Sequence, residues 1–316
     1  MVTYEAPMRV AIEQASIFKG ATAPNPPVGA VGLNSQGKIL VSAAHEKPGG
    51  LHAEARLIEK CSQMKILDQL HTVVVTLEPC PHIGKTPPCV DALISAKVKK
   101  IIIGYSVDPF PKVNGQGIKK LKSAGIEVVT GVLQKECKQL IDPYLKWIKT
   151  KRPWITIKRA FNQNQSMIPS NGKNTFTSEK SLSFAHQLRK RSDAIITGSE
   201  TVLKDNPLFN VRYVKDHDDK KRWLVVMDRR KRVSNSWINA AEKRGFTVKL
   251  GENINEMLSF LGEKGVHEVL VESGPELSKS FIDHKLYDED VLIEVQKNNA
   301  PDKITINKVN HVYRNH

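Results

Sequence analysis

A histidine and two cysteines that lie far apart in the sequence limit most strongly how this chain of 316 residues can fold. They are His52, Cys80 and Cys89. Zinc binds well to one neutral imidazole and two thiolates, and a catalytic zinc keeps its fourth position for water. We therefore predict a fold that brings these three side chains to one zinc ion.

Glu54 follows His52 closely, at the start of a predicted helix that runs to about Cys61. This spacing puts the carboxylate near a metal-bound water without making it a ligand, so we predict that Glu54 carries protons during catalysis. Zinc lowers the pKa of bound water towards neutrality, and the resulting nucleophile can attack an amidine-like ring carbon. His-x-Glu followed by Pro-Cys is the signature of zinc deaminases. Cys61 and Cys137 lack ligand-like neighbours, and we interpret them as packing or surface residues.

The chain has 48 Lys and Arg residues against 33 Asp and Glu residues, which gives a net charge of +15. Such a charge attracts anions over a long range. It is consistent with solvated Lys-rich surfaces, with a phosphorylated substrate and, less well, with nucleic acid, because no basic stripe interleaved with aromatic residues is present. We expect a phosphorylated substrate and no nucleic-acid partner.

The sequence also predicts a cytoplasmic location. No apolar run reaches the roughly 18 residues that span a bilayer, and the first residues lack the pattern of a signal peptide. The four cysteines, of which the zinc site takes Cys80 and Cys89, leave no disulfide framework. We expect no association with a membrane.

The first half alternates predicted strands and helices. Residues 71–77 and 98–104 are largely β-branched and apolar, as in strands that are buried on both faces. Ligands at the end of such a strand and at the start of a helix lie where open α/β sheets bind small molecules. The alternation indicates a parallel or mixed sheet with helices outside. The other predicted elements are helices at 8–19, 91–96 and 117–124 and strands at 28–33, 38–44 and 126–132.

Asn25 stands between Pro24 and Pro26, which hold the backbone extended or in a turn. Its amide offers both a donor and an acceptor to the edge of a heterocycle. Alternatively, Asn25 only fills a turn, and the sequence leaves both interpretations open.

The motifs of the first half together resemble the deaminase half of the bifunctional deaminase/reductase family of riboflavin biosynthesis. They are Pro24-Asn25-Pro26, Val28-Gly29, His45, His52-Ala53-Glu54, Leu77-Glu78-Pro79-Cys80, His82, Gly84-Lys85-Thr86-Pro87-Pro88-Cys89, Asp108-Pro109 and Gly115-x-Gly117. The resemblance implies a cytidine-deaminase-like three-layer domain with a mixed sheet over residues 1–148.

The resemblance also implies roles for single residues. His52, Cys80 and Cys89 would bind zinc, and Glu54 would be the catalytic proton carrier. Asn25, His45 and Lys85 would bind the substrate. Deaminases that act on nucleic acids have a more closely spaced pair of cysteines, which argues against tRNA editing.

A second domain is predicted to begin at the basic stretch 147–153 and to cover residues 149–316. Its best-matching piece resembles the reductase half of the same family, which is dihydrofolate-reductase-like, α/β, and uses NADPH. That piece is Arg189-x-x-Ser192-Asp193-Ala194-Ile195-x-x-Gly198-x-x-Thr201-Val202-Leu203-x-Asp205-Asn206-Pro207-x-x-x-Val211-Arg212. The resemblance implies that Thr201, Asp205 and Gly274 bind the cofactor. It implies that the substrate contacts Arg189, Phe209, Arg212 and Glu272.

Several positions of the second half depart from the family pattern. They are 162–165, 175–177, Arg229, Ser273 and the C-terminal stretch 296–316. Cofactor contacts that are loosened by such changes lower the rate of hydride transfer. An alternative is therefore a deaminase whose C-terminal domain has lost reductase activity, and a second alternative is a nucleic-acid base deaminase.

The leading hypothesis is an enzyme of riboflavin biosynthesis with two activities. A zinc-dependent step would deaminate a phosphoribosylated diaminopyrimidinone, and an NADPH-dependent step would then reduce the ribosyl group to a ribityl group. We also expect a homo-oligomer.

Overall fold

The computed structural model describes residues 3–82, 87–106, 113–168, 175–297 and 300–309. The chain divides into two compact units, Met1–Ile148 and Lys149–His316, and each contains one sheet. Within the described ranges, no helix has the length and apolar character that crossing a membrane requires.

The first unit is built on a five-stranded mixed sheet with the order β2-β1-β3-β4-β5. β1 pairs antiparallel with β2 and β3, whereas β3, β4 and β5 run parallel. The strands are β1 (Gly29–Leu33), β2 (Ile39–Ala44), β3 (Thr72–Leu77), β4 (Lys100–Tyr105) and β5 (Glu127–Thr130).

Helices cover both faces of this sheet. Leu57, Leu93 and Leu121 pack α2, α3 and α4 on one face, and Met8 and Cys137 pack α1 and α5 on the other. The predicted three-layer domain with a mixed sheet is thereby confirmed. The helices are α1 (Glu5–Ile17), α2 (Ala53–Gln63), α3 (Cys89–Ser95), α4 (Gln116–Ser123) and α5 (Gln134–Thr150).

α5 has no counterpart among the predicted elements, and it continues into the stretch that the sequence analysis read as a domain boundary. Pro143 lies inside this helix. A proline normally ends a helical pattern because it lacks the backbone N–H and its ring clashes with the preceding turn. The buried side chains of Leu140, Ile141, Tyr144 and Leu145 keep the helix on the sheet in spite of it.

Two elements of the first unit deliver the predicted ligands. All of β3 is buried, and the chain leaves its carboxyl end directly into Glu78, Pro79 and Cys80. α2 begins immediately after His52, whose extended backbone forms the N-cap. The strand end and the helix start therefore meet on one edge of the sheet, as predicted from the alternation of elements.

The second unit is built on a seven-stranded sheet with the order β12-β11-β6-β10-β7-β8-β9. All neighbours are parallel except β12, which pairs antiparallel with β11. The strands are β6 (Trp154–Phe161), β7 (Ala194–Gly198), β8 (Arg222–Met227), β9 (Phe246–Gly251), β10 (Glu268–Glu272), β11 (Glu289–Glu294) and β12 (Lys303–Lys308).

Helices again flank both faces of the sheet. Leu258, Leu261 and Phe281 fill one face from α9 and α10, and Leu188 and Val202 fill the other from α6 and α7. The sequence predicts strands at 154–160, 193–198, 223–228 and 267–272 and a helix at 179–191, which correspond to β6, β7, β8, β10 and α6, but it does not predict α8, β9, α9, β11 or β12. The helices are α6 (Glu179–Arg191), α7 (Ser199–Asp205), α8 (Asn235–Lys243), α9 (Ile254–Glu263) and α10 (Pro275–Asp283).

The C-terminal stretch, where the family pattern is lost, still completes the sheet. β12 pairs with β11 from Lys303 to Lys308, and Asp302 accepts hydrogen bonds of 2.8 Å and 2.7 Å from the backbone N–H and hydroxyl of Ser178. Ser178 caps α6, so this contact ties the C-terminal stretch to the helix that carries Arg189.

Candidate active site

His52, Cys80 and Cys89 lie together at the carboxyl edge of the first sheet. The His52 Nδ1 atom is 3.6 Å from Cys80 Sγ and 3.3 Å from Cys89 Sγ. The three ligand atoms all lie within 4.8 Å of one another. Among the residues that the structure describes, they form the only group of this kind.

These separations fit one tetrahedral zinc ion. Zinc–sulfur bonds of about 2.3 Å and a zinc–nitrogen bond of about 2.0 Å at tetrahedral angles put nitrogen and sulfur ligands about 3.5 Å apart. One neutral nitrogen and two sulfurs leave a fourth position open, which is the pattern of a catalytic zinc site. The donor set therefore fits zinc by both chemistry and spacing.

The ligand side chains already interact through their protons. A hydrogen bond with Cys80 raises the pKa of His52. A hydrogen bond from Cys89, supported by one from His52, lowers the pKa of Cys80 to about 4. The same contact raises the pKa of Cys89, so one thiolate and one thiol share a proton. Because zinc ligands must be deprotonated, metal binding here would release protons.

Glu54 lies in the first turn of α2 and is 3% exposed. Burial, followed by the charge of Cys80, raises the pKa of the Glu54 carboxyl to about 6. A pKa near neutrality lets one group both accept and donate a proton within a reaction cycle. The carboxyl also contacts the Cys89 thiol by a hydrogen bond, which places it beside the ligand cluster.

Asn25 and His45, two predicted substrate residues, contact each other. Asn25 Nδ2 lies 3.1 Å from His45 Nε2, and the His45 ring packs edge-on against the His52 ring with centroids 5.2 Å apart. Burial lowers the pKa of His45. Lys85, the third predicted substrate residue, lies outside the described residues.

Glu78 is a site residue that the sequence analysis did not assign. Its buried carboxylate accepts hydrogen bonds from the backbone N–H groups of Gly115 at 2.9 Å and Ile118 at 3.1 Å. A Cβ on Gly117 would lie 2.1 Å from the Pro79 carbonyl oxygen, so only glycine fits there. The start of α4 therefore holds the strand end that carries Cys80. The pair of glycines in Gly115-x-Gly117 was the sequence signal that could have indicated this close contact with Glu78 and Pro79.

In the second unit, Arg189 and Glu272 form a bidentate ion pair. Arg189 Nε and Nη2 each lie 2.8 Å from a Glu272 carboxylate oxygen, and Lys158 Nζ lies 3.3 Å from the same carboxylate. The charges of Arg189 and Lys158 outweigh burial and hold the pKa of Glu272 well below its usual range. The sequence analysis missed Lys158, which the parallel pairing of β6 with β10 brings to this point.

His186 is a second residue of this cluster that the sequence analysis missed. Its Nδ1 accepts a 2.8 Å hydrogen bond from the backbone N–H of Arg212, while the Arg189 guanidinium donates to the Asn210 carbonyl oxygen at 3.1 Å. Burial and the neighbouring guanidinium groups lower the pKa of His186 to about 4. α6 thereby holds the loop that carries Arg212.

Phe209 lies close to this cluster but not as the resemblance implies. Its side chain is 2% exposed and belongs to the hydrophobic core. The Arg189 guanidinium carbon lies 5.9 Å from the centroid of its ring. The side chain thus differs from the expected substrate contact, because the loop turns it inwards at a positive φ of 55°.

Of the three predicted cofactor residues, Thr201 and Gly274 contact each other and Asp205 contacts neither. The Gly274 backbone N–H donates to Thr201 Oγ1 at 3.2 Å, at the start of α10. Asp205 ends α7 and is exposed, and its side chain makes no hydrogen bond or ion pair to another described residue. Exposed cations at 229–232 follow β8 on the same edge of the sheet. A glycine at a helix start and nearby cations fit the phosphates of a dinucleotide.

Two family models match the chain. Residues 1–105 match the cytidine and deoxycytidylate deaminase zinc-binding region, and residues 166–294 match the RibD C-terminal domain. The riboflavin biosynthesis protein RibD of Aquifex aeolicus is 32% identical over 311 residues, which cover 92% of this chain and 86% of that protein.

Solved structures agree with these matches. A diaminohydroxyphosphoribosylaminopyrimidine deaminase/5-amino-6-(5-phosphoribosylamino)uracil reductase from Thermotoga maritima has a TM-score of 0.80 and 31% identity, with coverage of 95% of this chain and 89% of that one. RibD of Acinetobacter baumannii has a TM-score of 0.77 and 28% identity, with coverage of 94% and 87%.

These similarities extend over both halves of the chain, so the predicted family and fold class are confirmed. The matched relatives contain both a deaminase and a reductase half. The chain belongs to the RibD family of riboflavin biosynthesis, as a bifunctional enzyme with a zinc-dependent deaminase and an NADPH-dependent reductase.

Proposed function

We propose that residues 1–148 deaminate a phosphoribosylated diaminopyrimidinone and that residues 149–316 reduce the deaminated product. The observation that carries the first assignment is the cluster of His52, Cys80 and Cys89 beside the buried carboxyl of Glu54. The substrate class is the one that the name of the Thermotoga maritima relative states. The net charge of +15 suits a phosphorylated ligand.

Zinc held by His52, Cys80 and Cys89 would act as a Lewis acid that makes water a nucleophile near neutral pH. Glu54 would take a proton from that water and pass it to the departing amino group. The C–N bond to the amine breaks as a C–O bond forms, so water and the amine become a carbonyl and ammonia. The pKa of Glu54, about 6, suits both proton transfers.

In the second unit, bound NADPH would supply the hydride that reduces the opened ribosyl carbon. Thr201 and Gly274 would bind the cofactor at the start of α10, and Asp205 would approach it from the end of α7. Arg212 and the Arg189–Glu272 pair would lie at the substrate. Because Arg189 is already bonded to Glu272 and Asn210, it would orient this site. The exposed Arg212 guanidinium donates to Asn210 Oδ1 at 2.7 Å through Nη1, and its other N–H groups would bind a phosphate.

We further propose that the enzyme works in the cytoplasm as a homo-oligomer. All four cysteines are free thiols, and a reducing compartment keeps Cys80 and Cys89 available for zinc. β12 ends its sheet and exposes 49% of the Ile306 side chain, which offers an edge to a second copy. Sedimentation of the purified protein tests the oligomeric state.

The assignment of the first unit is tested by ammonia release from the diaminopyrimidinone phosphate. Glu54→Gln should keep zinc and lose turnover, whereas Cys80→Ala should lose both. Glu59→Gln, an exposed carboxylate on the same helix, is the matched control and should keep both. Full activity of either Glu54→Gln or Cys80→Ala would contradict the assigned roles.

The assignment of the second unit is tested by oxidation of NADPH in the coupled reaction. The wild-type protein should oxidise one equivalent of NADPH for each ammonia released. Ammonia release without NADPH oxidation would mean that the second unit has lost the reductase step. Deamination of a base in tRNA, with no reaction of the pyrimidine, would contradict the substrate class.

A further inference from the structure

The short helix α7 is held at both of its ends by side chains from one other segment. It has seven residues, and helices of this length are not stable by themselves in water. At its start, Arg232 donates to Glu200 Oε2 at 2.9 Å and to Ser199 Oγ at 3.0 Å. At its end, Trp237 Nε1 donates to Asn206 Oδ1 at 3.0 Å. The position of α7 therefore depends on Arg232 and Trp237.

The segment that supplies both side chains is itself fixed. It follows β8 and comprises residues 228–237, which we call the anchoring segment. The buried carboxylate of Asp228 accepts a 2.8 Å hydrogen bond from the backbone N–H of Val233, and the hydroxyl of Ser234 caps α8. The Trp237 ring packs against the hydrophobic core that α6 and α7 cover. The anchoring segment thus gives α7 a rigid support.

Asn206 is the residue through which the end of α7 is held. It is the C-cap of the helix and has a φ of 41°, in the left-handed region that asparagine tolerates better than most residues. Its backbone N–H donates to the Val202 carbonyl oxygen at 3.1 Å, and the Val202 side chain is buried in the core. The hydrogen bond from Trp237 therefore fixes a residue whose backbone is already constrained.

The contact with Trp237 bears on the cofactor site because Asp205 directly precedes Asn206. The Asp205 side chain is exposed and makes no hydrogen bond or ion pair to another described residue. Thr201, in contrast, is held by the Gly274 backbone N–H at 3.2 Å. Of the two proposed cofactor residues on α7, Asp205 is thus the one whose position depends on how the end of the helix is held.

We propose that Trp237 is a positioning residue of the reductase, which acts through Asn206 to hold Asp205 where NADPH binds. This inference rests on the proposed function of the second unit and deepens it. Trp237 itself does not touch the cofactor, because Asn206 takes up its N–H and its ring packs against the core. The contact orders the end of α7 before NADPH binds, so its loss weakens NADPH binding and leaves deamination unchanged.

Two substitutions remove the hydrogen bond from its two sides. Trp237→Phe removes the N–H donor and keeps an aromatic ring in the core. Asn206→Gly removes the acceptor and keeps a residue that adopts a positive φ without strain. Trp223→Phe is the matched control. Trp223 lies at the start of β8, at the opposite edge of the sheet, where its ring packs edge-on against Phe260.

Equilibrium dialysis measures the dissociation constant of NADPH for the zinc-loaded protein. Trp237→Phe and Asn206→Gly should each raise this constant by about threefold to tenfold, the range for the loss of one hydrogen bond. The double variant should be within about twofold of the weaker-binding single variant, because both changes remove the same contact. Ammonia release should stay at the wild-type rate in all variants, and Trp223→Phe should bind NADPH like the wild type.

The indole N–H of Trp237 gives a readout that needs neither cofactor nor turnover. In proton–nitrogen spectra of the protein without NADPH, its signal is assigned by its loss in Trp237→Phe. This signal should shift, and exchange faster with water, in Asn206→Gly. A signal that Asn206→Gly leaves unchanged would remove the contact on which the proposal rests.

Unchanged NADPH affinity in Trp237→Phe would overturn the proposal, as would effects of the two single changes that multiply in the double variant. Equally weak NADPH binding by Trp223→Phe would also overturn it, because a general loss of packing would then explain the result. Wild-type protein that binds no NADPH would instead refute the proposed function of the second unit, and the role of Trp237 with it.

Discussion

The ion pair between Arg189 and Glu272 gives the sharpest stability prediction for the second unit. Two hydrogen bonds of 2.8 Å join the groups, and their side chains are 12% and 13% exposed. Arg189→Met removes both bonds and leaves the buried carboxylate with only Lys158 at 3.3 Å. Breaking one side of a buried pair costs about 3–5 kcal/mol. Because Lys158 still compensates part of the carboxylate charge, we expect the lower end of this range, a fall of about 3 kcal/mol in the free energy of unfolding.

The loss should depend on pH with a defined sign. Arg189 and Lys158 lower the pKa of Glu272 in the folded state below its ordinary value of 4.5. The folded protein then binds fewer protons than the unfolded chain, so the stabilisation is fully present above the unfolded pKa and is lost as pH falls towards the folded pKa. The difference between wild type and Arg189→Met should therefore be largest at pH 7 and shrink below about pH 4.

Urea unfolding followed by tryptophan fluorescence measures this difference. Trp154, Trp223 and Trp237 lie in the second unit, and the remaining tryptophan, Trp147, lies in the first. Lys279→Met, which removes an exposed pair on α10, is the control and should change stability by less than about 0.5 kcal/mol. An Arg189→Met loss below about 1 kcal/mol, or one that grows towards acid, would refute the reasoning.

Three further predictions concern the first unit. Gly117→Ala should push α4 away from the Pro79 carbonyl oxygen and so speed the release of zinc to a chelator. A coloured indicator measures the release rate, and an unchanged rate would contradict the link between α4 and Cys80. Glu54→Gln should lower kcat for deamination by about a hundredfold or more at unchanged zinc content, and a mere rise in KM would argue for a binding role instead. Removal of zinc by a chelator should lower the Tm of the first unit, because the folded state then loses the free energy of zinc binding. Cys61→Ser, at a free cysteine outside the ligand set, should not change zinc affinity.

The metal cluster could be predicted from the sequence because the types and spacing of its residues are enough to identify a zinc site. One imidazole, two thiolates and an adjacent carboxylate define zinc chemistry whatever fold surrounds them. The buried strand 72–77 and the helix after His52 then leave only one edge of the sheet at which the ligands can meet. Asn25 and His45 were assigned to the substrate, but their mutual hydrogen bond depends on loop geometry that no periodicity encodes.

The residues that were missed act through contacts between distant segments. Lys158 reaches Glu272 because two parallel strands have a specific register, and Glu78 caps a helix that starts far along the chain. The inward turn of Phe209 follows from a positive φ that its residue type does not signal. α5 was missed because Pro143 interrupts the helical pattern, although packing against the sheet overrides it.

X-ray absorption at the zinc edge of the purified protein tests the central claim most directly. We predict one zinc per chain with two sulfur neighbours at about 2.3 Å and a nitrogen shell at about 2.0 Å. Cys89→Ala should lose the metal or half of the sulfur signal. A spectrum with nitrogen and oxygen neighbours alone, or one that Cys89→Ala leaves unchanged, would contradict a zinc site built from His52, Cys80 and Cys89.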